Sequence, residues 1–179
     1  MAMKAGKPAY IEKPMAQTYE ECTRINRISQ ETGIPCFVAY YRRYLPYFQK
    51  VKELVENGSI GNVINVQIRF AQPPRDLDYN RENLPWRVQA DIAHDSARED
   101  RIEIIGDKGM ICFSVFTYEP IGLHTERGRE EICIGNPEHV QQPLIQAVVD
   151  HLLGKSICSC DGESATLTNW VMDKILGKL

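Results

Sequence analysis

At 179 residues the chain is long enough for one ordinary domain and short for two. Its 43% hydrophobic and 25% charged residues are globular proportions, which excludes disordered, collagen-like and coiled-coil classes. A formal net charge of -3 argues against a nucleic-acid binder working through bulk phosphate neutralisation, and no apolar run is long enough for a membrane span. The stretch from Met1 to Lys7 lacks the apolar core of a secretory signal, so a cytoplasmic location is expected.

In chain order, Ala2 to Lys4 reads as a last helical turn closed by Gly6, and Ala9 to Glu12 as a short strand ended by Pro14. Thr18 followed by Glu21 is a capping box. It opens a helix whose inner face carries Cys22, Ile25, Ser29 and Thr32, with Gly33 as the C-cap. The apolar run from Ile34 to Tyr41 predicts a buried strand. Strand, helix and strand at this spacing make a parallel βαβ unit.

Pro46 suits the first turn of a second helix, with Phe48, Val51, Leu54 and Val55 as its buried stripe and Asn57-Gly58 as its stop. After Gly61 a clean alternation begins. Ile64, Val66, Ile68 and Phe70 point one way, toward an expected core, and Asn65, Gln67 and Arg69 the other. The pattern then dissolves from Ala71 to about Ala93, a length at which loops are usually functional or disordered. Asp100 to Phe116 predicts a hairpin turning at Asp107-Lys108-Gly109, and Ile121 to His124 and Glu131 to Ile134 two more strands. Pro143 starts a helix carrying Leu144, Val148 and Leu152, and Asp161 caps another carrying Leu167, Val171 and Ile175. The fold class expected is α+β: a mainly antiparallel sheet with helices on one face, preceded by one residual βαβ unit.

Six cysteines are present, and nothing in the sequence points to an oxidising compartment. Cys158-Ser159-Cys160 lacks the spacing of a zinc or redox motif, so free thiols and no metal site are expected. The four histidines, His94, His124, His139 and His151, are scattered and form no catalytic pattern by spacing.

The stretch Ala5-Gly6-Lys7-Pro8-Ala9-Tyr10-Ile11-Glu12-Lys13-Pro14 resembles the EKP segment of the glucose–fructose oxidoreductase and inositol dehydrogenase (Gfo/Idh/MocA) family. The resemblance continues through Ala39-Tyr40-Tyr41-Arg42-Arg43-Tyr44-Leu45-Pro46, Gly58-Ser59-Ile60-Gly61, Leu84-Pro85-Trp86-Arg87 and Ile105-Gly106-Asp107-Lys108-Gly109. In that family the segment closes a nucleotide-binding domain and precedes an α+β substrate domain. The implied division is 1–41, a remnant of the nucleotide-binding domain, and 42–179, a substrate and oligomerisation domain.

The resemblance implies a catalytic role for Lys13 at the reacting carbon, where a cation stabilises developing alkoxide charge. It implies cofactor contacts for Glu12, Lys13, Pro14, Trp86 and Arg87, with Pro14 shaping the strand exit through a cis peptide. Substrate contacts fall to Tyr41 and Arg43, although a guanidinium stacked on tyrosine is an equal structural role for Arg43. Lys13 without the resemblance is an ordinary solvated lysine.

Two departures qualify the family pattern. No G-x-G-x-x-G turn occurs in the chain, and Gln89 to Ala93 runs directly into His94-Asp95-Ser96, where members carry a glycine-rich block with an Asp and a His. His94-Asp95 is no substitute, because a strand follows at once. The expectation is therefore an abridged member: the substrate-binding and subunit-contact part of an NAD- or NADP-dependent sugar or polyol oxidoreductase. Alone it is expected to bind no dinucleotide and to be inactive. The alternatives are a non-catalytic scaffold, or an enzyme completed in trans by a nucleotide-binding chain. Expected partners are a second copy, through the polar sheet face at Asn65, Gln67 and Arg69, and a small sugar or polyol, with neither nucleic acid nor membrane.

Overall fold

A computed structural model describes residues 2–71 and 99–179. The expected loop up to Ala93, together with Trp86, Arg87, His94 and Asp95, lies outside the described residues. The architecture is α+β, with a two-stranded parallel sheet and a five-stranded antiparallel one. Two compact units divide the chain, Met1–Gln49 with Asn136–Leu179, and Lys50–Gly135. The last two helices belong to the first unit. No helix among the described residues is long and apolar enough to cross a membrane.

The first unit is built on the βαβ element that the sequence predicts. Strand β1 (Ala9–Ile11) pairs in parallel with β2 (Cys36–Val38), and helix α1 (Tyr19–Thr32) connects them. Thr18 Oγ1 accepts from the Glu21 N–H at 3.2 Å, Glu21 Oε2 accepts from the Gln17 N–H at 3.1 Å, and Gly33 ends the helix at φ 66°. Strand β2 is shorter than the predicted Ile34–Tyr41, since the Tyr40 N–H turns back to the Val38 carbonyl at 2.7 Å.

Its alternate residues enter two cores. Cys36 and Val38 pack with Met3, Met15, Cys22 and Ala165; Phe37 packs with Leu144, Val148, Cys158 and Cys160. A strand buried on both faces reads as a continuous apolar run, which is how the sequence writes it. Helix α3 (Gln142–Leu152) supplies Leu144 and Val148, helix α4 (Gly162–Ile175) supplies Ala165, and Cys158 and Cys160 lie between the two helices.

Helix α4 corrects one expectation. Leu167, Val171 and Ile175 are exposed, whereas Gly162, Ala165, Asn169 and Asp173 are buried. The buried row is small and polar because it meets backbone: Asn169 Nδ2 donates to the Ala16 carbonyl at 3.0 Å, and Asp173 Oδ2 accepts from the Tyr19 N–H at 2.7 Å. On α3, Leu152 is likewise exposed, while Leu144 and Val148 are buried as predicted.

Helix α2 (Pro46–Glu56) leads into the second unit. There β3 (Val63–Ala71), β4 (Glu99–Gly106), β5 (Gly109–Phe113), β6 (Ile121–Thr125) and β7 (Gly128–Ile132) form an antiparallel meander in sequence order. Strand β7 starts before the predicted Glu131–Ile134 and overlaps it at Glu131 and Ile132. Ile111 and Ile121 are fully buried, as are Ile60 and nearly all of Leu54.

The row expected to face a core on β3 does not: Ile64 is 70% and Ile68 69% exposed, with Val66 and Phe70 also exposed. Among the described residues β3 is an edge strand paired only with β4, so its apolar row extends beyond the buried centre of the sheet. On the opposite face Arg69 bonds Glu103 at 3.1 Å and Arg101 bonds it at 2.7 Å. The Asp100 carboxylate takes the N–H groups of Val115, Phe116 and Thr117, fixing the β5–β6 connection to β4.

Candidate functional site at the carboxyl ends of the parallel strands

Glu12, Lys13 and Pro14 leave the carboxyl end of β1, and Tyr41 and Arg43 sit in the 3-10 turn Tyr41–Tyr44 just beyond the carboxyl end of β2. Because the strands are parallel and in register, both groups emerge at the same edge of the sheet. In open α/β sheets that edge is where ligands bind. Glu12, Lys13 and Pro14 are exposed, and the Lys13–Pro14 peptide is cis. Trp86 and Arg87 lie outside the described residues.

Arg43 is held by the fold. Its Nη1 donates to Ser164 Oγ at 3.0 Å, its Nη2 reaches Thr168 Oγ1 at 3.5 Å, and its guanidinium lies 4.9 Å from the centre of the Tyr40 ring. Tyr44 adds a second strap, its hydroxyl accepting from the Ser159 N–H at 2.9 Å. These bonds fasten the turn to the start of α4, the structural role that the sequence leaves open for Arg43. Arg42 stacks over Tyr41, 5.3 Å from the ring centre.

Burial suppresses ionisation around the parallel strands. Burial pushes the Tyr40 phenol up, against a hydrogen bond with Thr168 and the charge of Arg43. Burial, then the charge of Glu12, raises Tyr10. Cys160 is pushed up to about 11 by burial, although Arg43 opposes it, and Cys36 also reaches about 11 through burial. These thiols are packing groups, since the thiolate is the reactive form. All six cysteines are unpaired, as expected.

A dinucleotide would need its pyrophosphate cradled at a helix N-terminus. The βα turn after β1 does not fit that demand. Thr18 already caps α1, and the buried Asp173 carboxylate already occupies the Tyr19 N–H. An anion is in place there, so a second would meet repulsion rather than free donors.

Sequence reasoning misses Asn169 and Asp173, which hold the loop after Lys13 through Ala16 and Tyr19. Their only signal is a polar i, i+4 row continuing from Ala165. It also misses the approach of Cys112 to His124, which follows from strand register.

No protein-family model matches the chain. It is 26% identical to "Oxidoreductase P35" of Formosa agariphila over 235 aligned positions, covering 98% of this chain and 73% of that protein. An alignment longer than the 179-residue chain means that the relative carries internal segments absent here. Myo-inositol 2-dehydrogenase of Thermotoga maritima is 35% identical over 80 residues, covering 44% of this chain and 24% of that enzyme. Among solved structures, biliverdin reductase of Synechocystis sp. PCC 6803, in complex with biliverdin and NADP+, superposes with a TM-score of 0.73 at 16% identity. That likeness covers 98% of this chain and 73% of the reductase, and it establishes a shared fold.

Proposed function

We propose that the chain, which resembles the oxidoreductase family of glucose–fructose oxidoreductase and inositol dehydrogenase, is a substrate-binding and subunit-contact portion of an NAD- or NADP-dependent sugar or polyol enzyme. The carrying observation is the emergence of Glu12-Lys13-Pro14 and the Tyr41–Tyr44 turn at one edge of the parallel pair. Lys13 is the group proposed to meet the reacting carbon, where its ammonium stabilises developing negative charge on oxygen. Tyr41 borders the substrate side, and Arg43 shapes the turn. Trp86 and Arg87 are assigned to the nicotinamide side by family resemblance. Six unpaired cysteines support a cytoplasmic setting.

The isolated chain is proposed to bind no dinucleotide and to turn over nothing. The occupied N-terminus of α1 supports this, because contacts at the nicotinamide end alone must offset about 4 kcal/mol or more of lost translational and rotational freedom. The test titrates NADH and NADPH by fluorescence and assays myo-inositol and glucose oxidation on the same sample. No saturation and no turnover are expected. Saturable micromolar binding, or turnover abolished by Lys13→Ala, would overturn the proposal.

A second reading, completion in trans by a nucleotide-binding chain, rests on β1. Among the described residues it pairs only with β2, so its other edge is open to a further strand. A scaffold without catalysis shares the predicted outcomes of the titration. The two part company if adding a nucleotide-binding chain restores turnover.

A further inference from the structure

The five-stranded sheet brings together a thiol and an imidazole that the sequence keeps twelve residues apart. Cys112 on β5 lies opposite Gly122 on β6, and His124 follows two residues later on the same face. Cys112 Sγ and His124 Nε2 are 3.7 Å apart. Gly122 is what permits this. A Cβ there would stand 2.6 Å from the sulfur and 3.3 Å from Nε2, so any larger residue would displace one of them.

The pair is partly open to solvent, unlike the four buried thiols of the first unit. Cys112 borders a recess of about 320 Å³, shared with Glu99, Asp100, Arg101, Glu119 and Arg129. Glu103 lies opposite Cys112 in the register and is bonded by Arg101 at 2.7 Å, and Arg129 lies opposite His124. A thiol within hydrogen-bonding reach of an imidazole, in an accessible recess, has the base that a reactive cysteine needs. Two arginines and three acids make a lining of mixed charge, suited to a small zwitterion.

We propose that Cys112, with His124 as its base, is a modification site for small zwitterionic disulfides of the glutathione disulfide class. His124 takes the thiol proton, and the Cys112 sulfur attacks one sulfur of the disulfide. That S–S bond breaks as the protein–ligand S–S bond forms. The leaving thiolate recovers the proton from His124 and departs as a free thiol. Cys112 is thereby oxidised and half of the small disulfide reduced, with no other reactant. This site is independent of the proposed oxidoreductase role, which lies in the other unit.

The experiment incubates the folded chain with glutathione disulfide and follows each cysteine by peptide mass spectrometry. Cys133 is the exposed internal standard. Cys112 is expected to form the adduct on the order of 10-fold faster than Cys133, with His124→Gln removing that advantage. In denaturant the advantage must vanish in the unmodified sequence too, an arm that remains informative should His124→Gln fail to fold. A Cys112 that reacts no faster than Cys133 overturns the proposal, whether because the thiol is inert or because a second copy covers it. So does an advantage that survives His124→Gln or denaturation.

Discussion

Glu103 sits on the polar face of the sheet between two guanidiniums, Arg101 at 2.7 Å and Arg69 at 3.1 Å. The hydrogen bond from Arg101, above all, with the charges of both arginines holds its carboxyl below the usual carboxylate range. A carboxyl whose folded value is depressed stabilises the fold above its unfolded value, near about 4.3, and loses that contribution as pH falls through the folded value. Thermal midpoints measured from neutral to acid pH are therefore expected to fall less steeply below about pH 4.3 for Glu103→Gln than for the parent. Parallel curves would show that the arginines do not act on this group. At neutral pH the variant should be the less stable of the two, because it leaves two guanidiniums short of a partner.

Helix α4 shows how a residue pattern can name the wrong face of a correctly placed element. Its i, i+4 leucine–valine–isoleucine row lies outside, and the row Ala165, Asn169, Asp173 lies inside against the start of α1 and the loop after Lys13. Asn169 is 1% exposed, and its amide nitrogen satisfies a backbone carbonyl. Removing it leaves that acceptor without a partner, at a cost of about 1–3 kcal/mol. Urea unfolding is expected to show this loss for Asn169→Ala, while Leu167→Ser, at a position 64% exposed, changes stability by no more than about 0.5 kcal/mol. The opposite order would return the hydrophobic row to the interior. The same bonds make α4 the element that holds the candidate site, since Ala16 and Tyr19 bracket the exit from Lys13-Pro14.

For the molecule as a whole, the exposed row of Ile64, Val66, Ile68 and Phe70 is the feature most at odds with an isolated chain in water. An edge strand carrying an apolar row invites association, because its side chains are exposed and, among the described residues, its outer backbone edge has no partner strand. We therefore propose that a second copy covers β3, with the apolar row rather than the polar row as the contact. Arg69 on the polar row is already engaged by Glu99 and Glu103. Light scattering is expected to give a dimeric or larger mass, and Ile68→Lys to reduce it to the monomer. A monomeric parent chain, or a variant that associates unchanged, would end this reading.

The sequence by itself determined the elements whose causes are local. Thr18, Glu21 and Gly33 mark the ends of α1, Asp161 starts α4, and the Asp107-Lys108-Gly109 turn joins β4 to β5, each through short-range hydrogen bonding or backbone freedom. The EKP and tyrosine–arginine segments also carry the family resemblance, since their order is written along the chain. Only the tertiary structure decided the rest. It chose the inner face of α4, left the β3 row exposed, seated Asp173 at the head of α1 and set Cys112 beside His124. Those outcomes depend on partners distant in sequence, as far as 154 residues for Tyr19 and Asp173. Periodicity reports that a helix or strand has an apolar side; which side is buried is settled by the backbone groups that must be satisfied where the elements meet.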